Sequence, residues 1–390
     1  MGRREGQGED MGIRRTAPPS LHTSARPPAD GRRKAAWSLI VLAPVSAEVT
    51  FSGVTMPAVW LLLPALVAMY GAGVLLLREL VVRSGRGRPS LLLMGLVYEL
   101  AEDGLGLQAL TSPDLYHAAA WGPRVLGLNT TYWETQVGYH TVFSVLVPVL
   151  LTDLLFPHHR GRPYLRRGGL AGTAVAAVTG VVLLRVGVAA IEDPGYHISL
   201  PATLALLAAI TALTAVALRA LPARTGAHEG SVPPPARPAP SPARVALTAG
   251  VTCVCFLGLL FPPGLPPDGP AIGSGAWVFV PMALAAALAA GAAWYVRRWT
   301  ATPGWSDSHY VWLAGGALIG HTLYAVLTAP AGHDYARGPT ALALALGAAM
   351  IAATAYLLVR LDHRVRRARQ PGLTPSPIAR FDAESGAQEK

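Results

Sequence analysis

The sequence predicts an all-α fold, a polytopic transmembrane helix bundle of about ten spans with the N-terminus and C-terminus both cytoplasmic. Three observations predict it. Ten apolar stretches run along the 390 residues, each long enough to cross about 30 Å of hydrocarbon at about 1.5 Å per residue. All but three of the 32 Lys and Arg fall in alternate gaps between these stretches or in the two tails, the exceptions being Arg124, Arg185 and Arg337, and this alternation is what the positive-inside rule produces. None of the nine Trp falls in the middle of a stretch. Trp37, Trp60, Trp277, Trp294 and Trp312 stand at span ends and Trp121, Trp133, Trp299 and Trp305 in loops, consistent with the preference of the indole ring for the headgroup level. A mean hydropathy of +0.39 with 14% charged residues leaves too little polar surface to coat a soluble globule of this length. The net charge of +10 is distributed over span ends rather than gathered in one patch. It therefore points to the lipid bilayer and anionic lipid headgroups as partners, and not to nucleic acid.

Along the chain, residues 1–34 are rich in Arg, Pro, Gly and Ser without apolar periodicity, and read as a disordered basic tail. The first span, 35–54, follows. Val45-Ser46-Ala47 also suits a signal-peptide cleavage site, which would leave nine helices, but the tail is long for a signal n-region and the apolar run continues through Val54. Spans two and three are expected at 58–79 and 90–110. The outer loop 111–137 holds Asp114, Tyr116, His117, Trp121, Tyr132, Trp133 and Glu134; so long and aromatic a loop is expected to be ordered and to lie on the outer interface as a lid. Asn129-Thr130-Thr131 in this loop matches a glycosylation sequon. The strong preference for Arg over Lys, with abundant Ala and Gly, instead indicates a high-GC bacterial genome and hence the bacterial plasma membrane. Spans four to six are expected at 138–156, 170–191 and 198–220, completing a first transmembrane segment, 35–221. A Pro-rich cytoplasmic linker, 222–244, includes Pro233-Pro234-Pro235 and reads as an extended spacer. Spans seven to ten, within 245–360, are expected at 245–261, 276–295, 311–329 and 341–360. Cys253 and Cys255 lie two residues apart in the seventh and so face different ways, which disfavours a disulfide between them. Residues 361–390 form a second basic, disordered tail.

Ionisable residues inside spans carry the functional information, because each costs about 2.5 to 3.5 kcal/mol to insert and so implies a partner or a purpose. Span three carries Glu99, Glu102 and Asp103, which share one helical face. Three carboxylates on one face cannot all be ionised cheaply in a low dielectric, so at least one is protonated or matched by a cation. Counting from the cytoplasmic ends places Glu48, Glu102, Asp103, His140, Arg185 and His321 in the outer half and Glu99 near the midplane. Seven groups from five spans at one depth predict an outward-facing polar cavity. Arg185 is the natural counter-ion, with snorkelling to the headgroups or pairing with Glu192 and Asp193 as the plainer reading. A set of structural ion pairs is the plainer reading of the whole group. Arg78-Glu79 and Asp153 sit at inner span ends, where a solvated interfacial role is expected. His140-Thr141 and His321-Thr322 open similar heptapeptides, but both histidines lie on the outer side, where an inverted repeat would place them at mirror-image depths.

Several passages carry a resemblance. Ala43-Pro44-Val45-Ser46-Ala47-Glu48, Tyr70-Gly71-Ala72-Gly73, Arg78-Glu79-Leu80, Gly95-Leu96-Val97-Tyr98, Glu102-Asp103-Gly104-Leu105, and His140 through Asp153-Leu154-Leu155-Phe156-Pro157 resemble the N-terminal part of an uncharacterised family of prokaryotic polytopic membrane proteins, over about residues 43–157. Members usually read Glu-Glu-Gly-Leu where this chain has Glu102-Asp103. The resemblance implies that the first span is retained and that Glu48, Glu102, Asp103 and His140 belong to recurring motifs; it implies no established activity. The chain is also weakly similar to the CAAX-type intramembrane metalloproteases. It departs from their pattern at Gly106 and Leu107, where an Arg is expected, and at Gln136 and Ala317, where a Phe precedes each His.

The leading functional class is therefore small-solute or proton-coupled transport, with Glu48, Glu99, Glu102, Asp103, His140, Arg185 and His321 as binding candidates and no cofactor required. The alternative is a membrane-embedded hydrolase. A carboxylate with two imidazoles holds a zinc-bound water, which makes Glu102, His140 and His321 the candidate metal ligands and Glu102 the candidate catalytic base. A structural or accessory membrane protein is the third class. The sequence has no phosphate-cradling loop and no Ser/His/Asp signature, which argues against ATP-driven transport by this chain alone.

Overall fold

The computed structural model describes residues 2, 29–223, 238–263, 271–329 and 340–369. Most of both expected tails and of the linker 222–244 lies outside the described residues. Among the described residues, eight helices are long and apolar enough to cross a membrane. They are α2 (Val59–Arg83), α4 (Thr130–Leu155), α5 (Arg167–Glu192), α6 (Leu200–Ala220), α7 (Pro242–Leu260), α8 (Gly275–Thr300), α9 (Asp307–Thr328) and α10 (Thr340–Ala368). Two further helices occupy the first and third expected spans. In α1, Ala29–Pro44 continues through a π-helical turn, Val45–Val49. In α3, Arg88–Glu99 continues through a longer π-helical stretch, Leu100–Gly106. Both are rich in charge, α1 through Arg32, Arg33 and Lys34 at its start and α3 through its three carboxylates.

Helix ends differ from expectation at both edges of the bundle. The helix α1 begins at Ala29 and α10 runs to Ala368, so 29–34 and 361–368 are helical where disorder was expected. Hydropathy marks where a helix leaves hydrocarbon, not where its hydrogen bonding stops. At the end of α10, Arg366 and Arg367 complement the helix dipole, and Arg366 pairs with Asp362 at 2.9 Å. The α4 helix likewise starts at Thr130, inside the segment read as loop.

Loops gather at two ends. At one, Ser112 bonds Asp193, Gln108 accepts from the Ile198 amide at 3.0 Å, and Trp121 packs on Phe261. At the other, Arg86 bonds carbonyls of 218–221, Arg160 bonds Asp307 at 3.0 Å, and Arg364 reaches the Leu155 carbonyl at 3.0 Å. The second is the arginine-rich end. An apolar cluster centred on Leu39, Val74, Leu75, Met94, Val145 and Val149 joins α1 to α4. A second cluster ties α4 to α9 and α10 through Leu151, Leu154, Leu318 and Leu358.

Two close approaches depend on glycine. A Cβ on Gly95 of α3 would lie 2.8 Å from the Thr141 Cα of α4, and one on Gly320 of α9 would lie 2.7 Å from the Gly250 carbonyl oxygen of α7. Small residues let these backbones meet, which is how helices associate where lipid removes the hydrophobic drive.

The segment between α3 and α4 is ordered, as its aromatic content implied. It holds a 3₁₀ turn, Leu115–Ala120, and a short hairpin in which β1 (Arg124–Val125) pairs with β2 (Leu128–Asn129). Leu115 and Ala118 are buried with Leu107, Leu110 and Tyr132 in a third apolar cluster. The Asn129 amide is buried and donates to the Ala109 and Ser112 carbonyls at 2.8 and 2.7 Å, so the apparent sequon is a structural bracket rather than an acceptor for sugar.

Candidate functional site

The site forms where α1, α2, α3 and α4 each change from α to π winding. The π turns are Val45–Val49 with Glu48, Val67–Ala72 with Tyr70, Leu100–Gly106 with Glu102 and Asp103, and His140–Leu146 with His140 and Ser144. An extra residue in the turn rotates the following side chains and leaves part of the backbone ladder irregular, and such turns recur at functional sites.

His140 is the hub. Its Nδ1 lies 3.4 Å from Glu102 Oε2 and 3.0 Å from Ser144 Oγ, while its Nε2 lies 3.1 Å from Asp103 Oδ2. Glu102 and Asp103 are adjacent in sequence, yet the π turn lets them face the two nitrogens of one ring. The other lone pairs are held by hydroxyl and indole donors: Tyr132 donates to Asp103 Oδ1 at 2.7 Å and Trp133 Nε1 to Glu99 Oε2 at 3.1 Å. Tyr70 and Tyr139 donate to Glu48 Oε1 at 2.6 and 3.1 Å. The rings of Tyr139, Tyr98 and Tyr70 surround His140, with centroids 5.0, 5.6 and 6.1 Å from it.

The set is enclosed. Glu99, Glu102, Asp103 and His140 are no more than 3% exposed, and only Glu48 is half-buried. The outward-facing cavity expected from sequence is thus a closed polar cluster, because Tyr132, Trp133 and the segment leading into α4 cover it. That covering segment carries backbone strain: Gln108, Tyr116, His117 and Leu126 have φ between 51° and 61°, and among the described residues they are the non-glycine positions with positive φ. Among the buried acceptors, Glu99 Oε1, Glu102 Oε2 and Asp103 Oδ2 have no aligned hydrogen bond. Ion-pair proximity to His140 is what Glu102 Oε2 and Asp103 Oδ2 have instead.

Five of the seven residues singled out in the sequence meet here, and two do not. Arg185 bonds the Tyr196 carbonyl and His197 Nδ1; it serves the α5–α6 connection and is no counter-ion to the cluster, because its long side chain reaches the polar loop at less desolvation cost. His321 is fully buried, but its ring is sandwiched between Phe143 and Phe51 at 3.8 and 4.4 Å, with Thr50 Oγ1 at 3.4 Å from Nδ1. Among the described residues no carboxylate joins it, so Glu102, His140 and His321 do not converge as ligands. Among the described residues no group of three or more His, Cys, Asp or Glu is arranged to hold a metal ion. Tyr132 and Trp133 were read only as part of the aromatic outer loop, and Tyr70, Tyr98 and Tyr139 were given no role in the site, since an aromatic residue in an apolar span reads as packing. A signal was present in α4, where Tyr132, Gln136, His140 and Ser144 recur at every fourth position and so line one face.

A second buried polar group lies nearer the arginine-rich end. Arg78 and Glu79, expected to be solvated, are 1% and 0% exposed. Arg78 donates to Glu79 Oε1 at 3.3 Å, Asp153 Oδ1 at 3.4 Å and the Arg162 and His159 carbonyls at 3.2 and 3.4 Å, and lies 3.4 Å from the centroid of the Tyr164 ring. Glu79 accepts from the Tyr164 and Leu165 amides at 2.6 and 3.3 Å. The cause of the burial is the 157–165 connection, which folds back over α2 and supplies the partners that desolvation demands.

A model of an uncharacterized membrane protein family matches residues 38–370. The chain belongs to this family. No curated protein and no solved structure matches it. The family match extends well beyond the 43–157 region where resemblance was legible and takes in the cluster around His140, the Arg78 network and α7 to α10. The weak likeness to CAAX-type metalloproteases finds no support in that match, in keeping with the separation of His321 from Glu102 and His140.

Proposed function

We propose that this family member binds and exchanges protons at the His140 cluster to drive movement of a small solute across the plasma membrane of a bacterium, with its arginine-rich end in the cytoplasm. The observation that carries the reading is the imidazole held between Glu102 and Asp103 at 3.4 and 3.1 Å. Four carboxylates and one imidazole share an enclosed site, and like charges at such spacing in a low dielectric cannot all be ionised together. Such a set is suited to take up and release protons. A ring with a carboxyl group at each nitrogen takes a proton from one acid at one nitrogen and gives the proton on its other nitrogen to the second, and a flip of the ring restores the starting tautomer, which needs no nucleophile and no bound cofactor.

Reconstitution tests it. Vesicles loaded with a pH-sensitive dye and given an inward-negative potential should acidify when they hold the protein, and Glu102→Gln or His140→Gln should slow this by about tenfold or more. Glu134→Gln, which changes a carboxylate outside the cluster, should match wild type. Equal rates in empty vesicles, wild type and both cluster variants would sink the proposal.

A further inference from the structure

Between the His140 cluster and the arginine-rich end, buried apolar side chains of the described residues pack the interval. Along α2 from Tyr70 to Arg78 the separation is about 12 Å, and along α4 from His140 to Asp153 about 20 Å, at about 1.5 Å per residue. Leu39, Val74, Leu75, Met94, Val145 and Val149 fill that interval, all at most 4% exposed. They belong to one contiguous apolar cluster that begins at Tyr70, Tyr98 and Tyr139 of the site and ends at Tyr164. Beneath it lies the Arg78 network.

We infer that Arg78, Glu79, Asp153 and Tyr164 form a latch that closes the arginine-rich end of the pathway below this apolar plug. The inference rests on the reading of the His140 cluster as a proton-exchanging site. Three features distinguish the latch from a helix-packing staple. First, its bonds run between elements that alternating access would have to part: α2, the end of α4 and the 157–165 connection. Tyr164 donates its hydroxyl to Asp153 Oδ1 at 3.2 Å while its backbone amide is held by Glu79. Second, Arg78 and Arg83 are opposed by Glu79 and Asp153, with Arg83 3.2 Å from Glu79, so the network is neutral and closes without importing charge. Third, Arg78 Nε and Thr152 Oγ1 are buried without partners. A network left short of satisfaction is less costly to rearrange than a completed one. Buried ion pairs are also weak contributors to stability compared with apolar substitutes, which leaves a switching role as the reason to keep one.

Thiol labelling reads the latch without any assay of flux. In protein with Cys253 and Cys255 replaced by Ala, a cysteine placed by Val149→Cys in the plug should react slowly with a charged, membrane-impermeant thiol reagent offered from the arginine-rich side. Adding Asp153→Asn should speed that reaction by about tenfold or more by populating the open form. Tyr164→Phe, which removes one hydroxyl and keeps the ring, should speed it by a smaller factor and serves if Asp153→Asn does not fold. A second cysteine, from Thr135→Cys beyond the site, should label at the same rate in all backgrounds. Unchanged Val149→Cys labelling in both latch variants overturns the inference, and so does a parallel rise at Thr135→Cys, which would mean general loosening. Absence of proton flux in the wild type, with Val149→Cys labelling that still rises in the latch variants, would refute the proposed function and leave the latch standing.

Discussion

At the scale of single residues, the two polar groups differ in how burial is compensated. Around His140, acidic groups outnumber the one imidazole, and hydroxyl donors from Tyr70, Tyr132 and Tyr139 supply what charge does not. Around Arg78, the charges balance and backbone groups supply further partners, with Arg78 Nε left without one. His159 sits at the margin of the second group: its ring is buried, and that burial, reinforced by the positive charges of Arg32, His158, Arg162 and Arg78, holds its pKa below the ordinary value of 6.5. The consequence has a definite sign. The imidazole binds a proton more readily once the 157–165 connection has loosened, so the anchoring is complete above about pH 6.5 and weakens as pH falls below it. Amide exchange of residues 159–165, corrected for the intrinsic pH dependence of exchange, should lose protection on acidification, and His159→Asn should flatten the response. Equal protection across the range in wild type would contradict it. The acidic and histidine members of the main site were legible because charge in an apolar run stands out. Arg78 was misread because position at a span end says nothing about a connection folding back over it.

At the scale of elements, hydropathy located a helix at each of the ten expected spans, since the apolar period and the breaks in it are local properties of the chain. What it could not show was winding. The π turns that aim Glu48, Tyr70, Glu102 and His140 at one another depend on which carbonyl each amide meets, and side-chain hydropathy carries no record of that choice. Helix contact went unread, although a local signal for it was present. Gly316 and Gly320 have the four-residue spacing that brings helices close, and Gly320 meets the backbone of α7 at Gly250. Gly320→Val should force these backbones apart, with a cost of about 1 to 3 kcal/mol from overpacking. Unfolding of the detergent-solubilised protein in rising denaturant should show the loss, and Gly291→Ala, at a helical glycine with nothing within 4 Å of an added Cβ, should cost nothing and stabilise by up to about 1 kcal/mol by the same measure.

At the scale of the whole molecule, the distribution of arginine and the packing of the loops describe the same polarity. Arg83, Arg86, Arg160 and Arg364 cap carbonyls or pair with acids across one end, while the other carries Arg124 on the hairpin and Arg185 beneath its neighbouring connection. Translocation discriminates against basic loops, so the first end is the one expected to stay in the cytoplasm. The site lies nearer the opposite end, under a strained but well-packed cover, and the longer apolar path lies on the arginine-rich side. That asymmetry makes sidedness the property on which the transport reading turns, because a proton from outside would have a short way in and a latched way out. In cells expressing protein with Cys253 and Cys255 replaced by Ala, Leu126→Cys at the 98% exposed hairpin tip should label with an impermeant thiol reagent while the cells are intact. Gly168→Cys, at the exposed start of α5, should label only after the cells are broken. The reverse pattern would invert the protein in the membrane, place the latch on the outside, and require the coupling direction to be turned around with it.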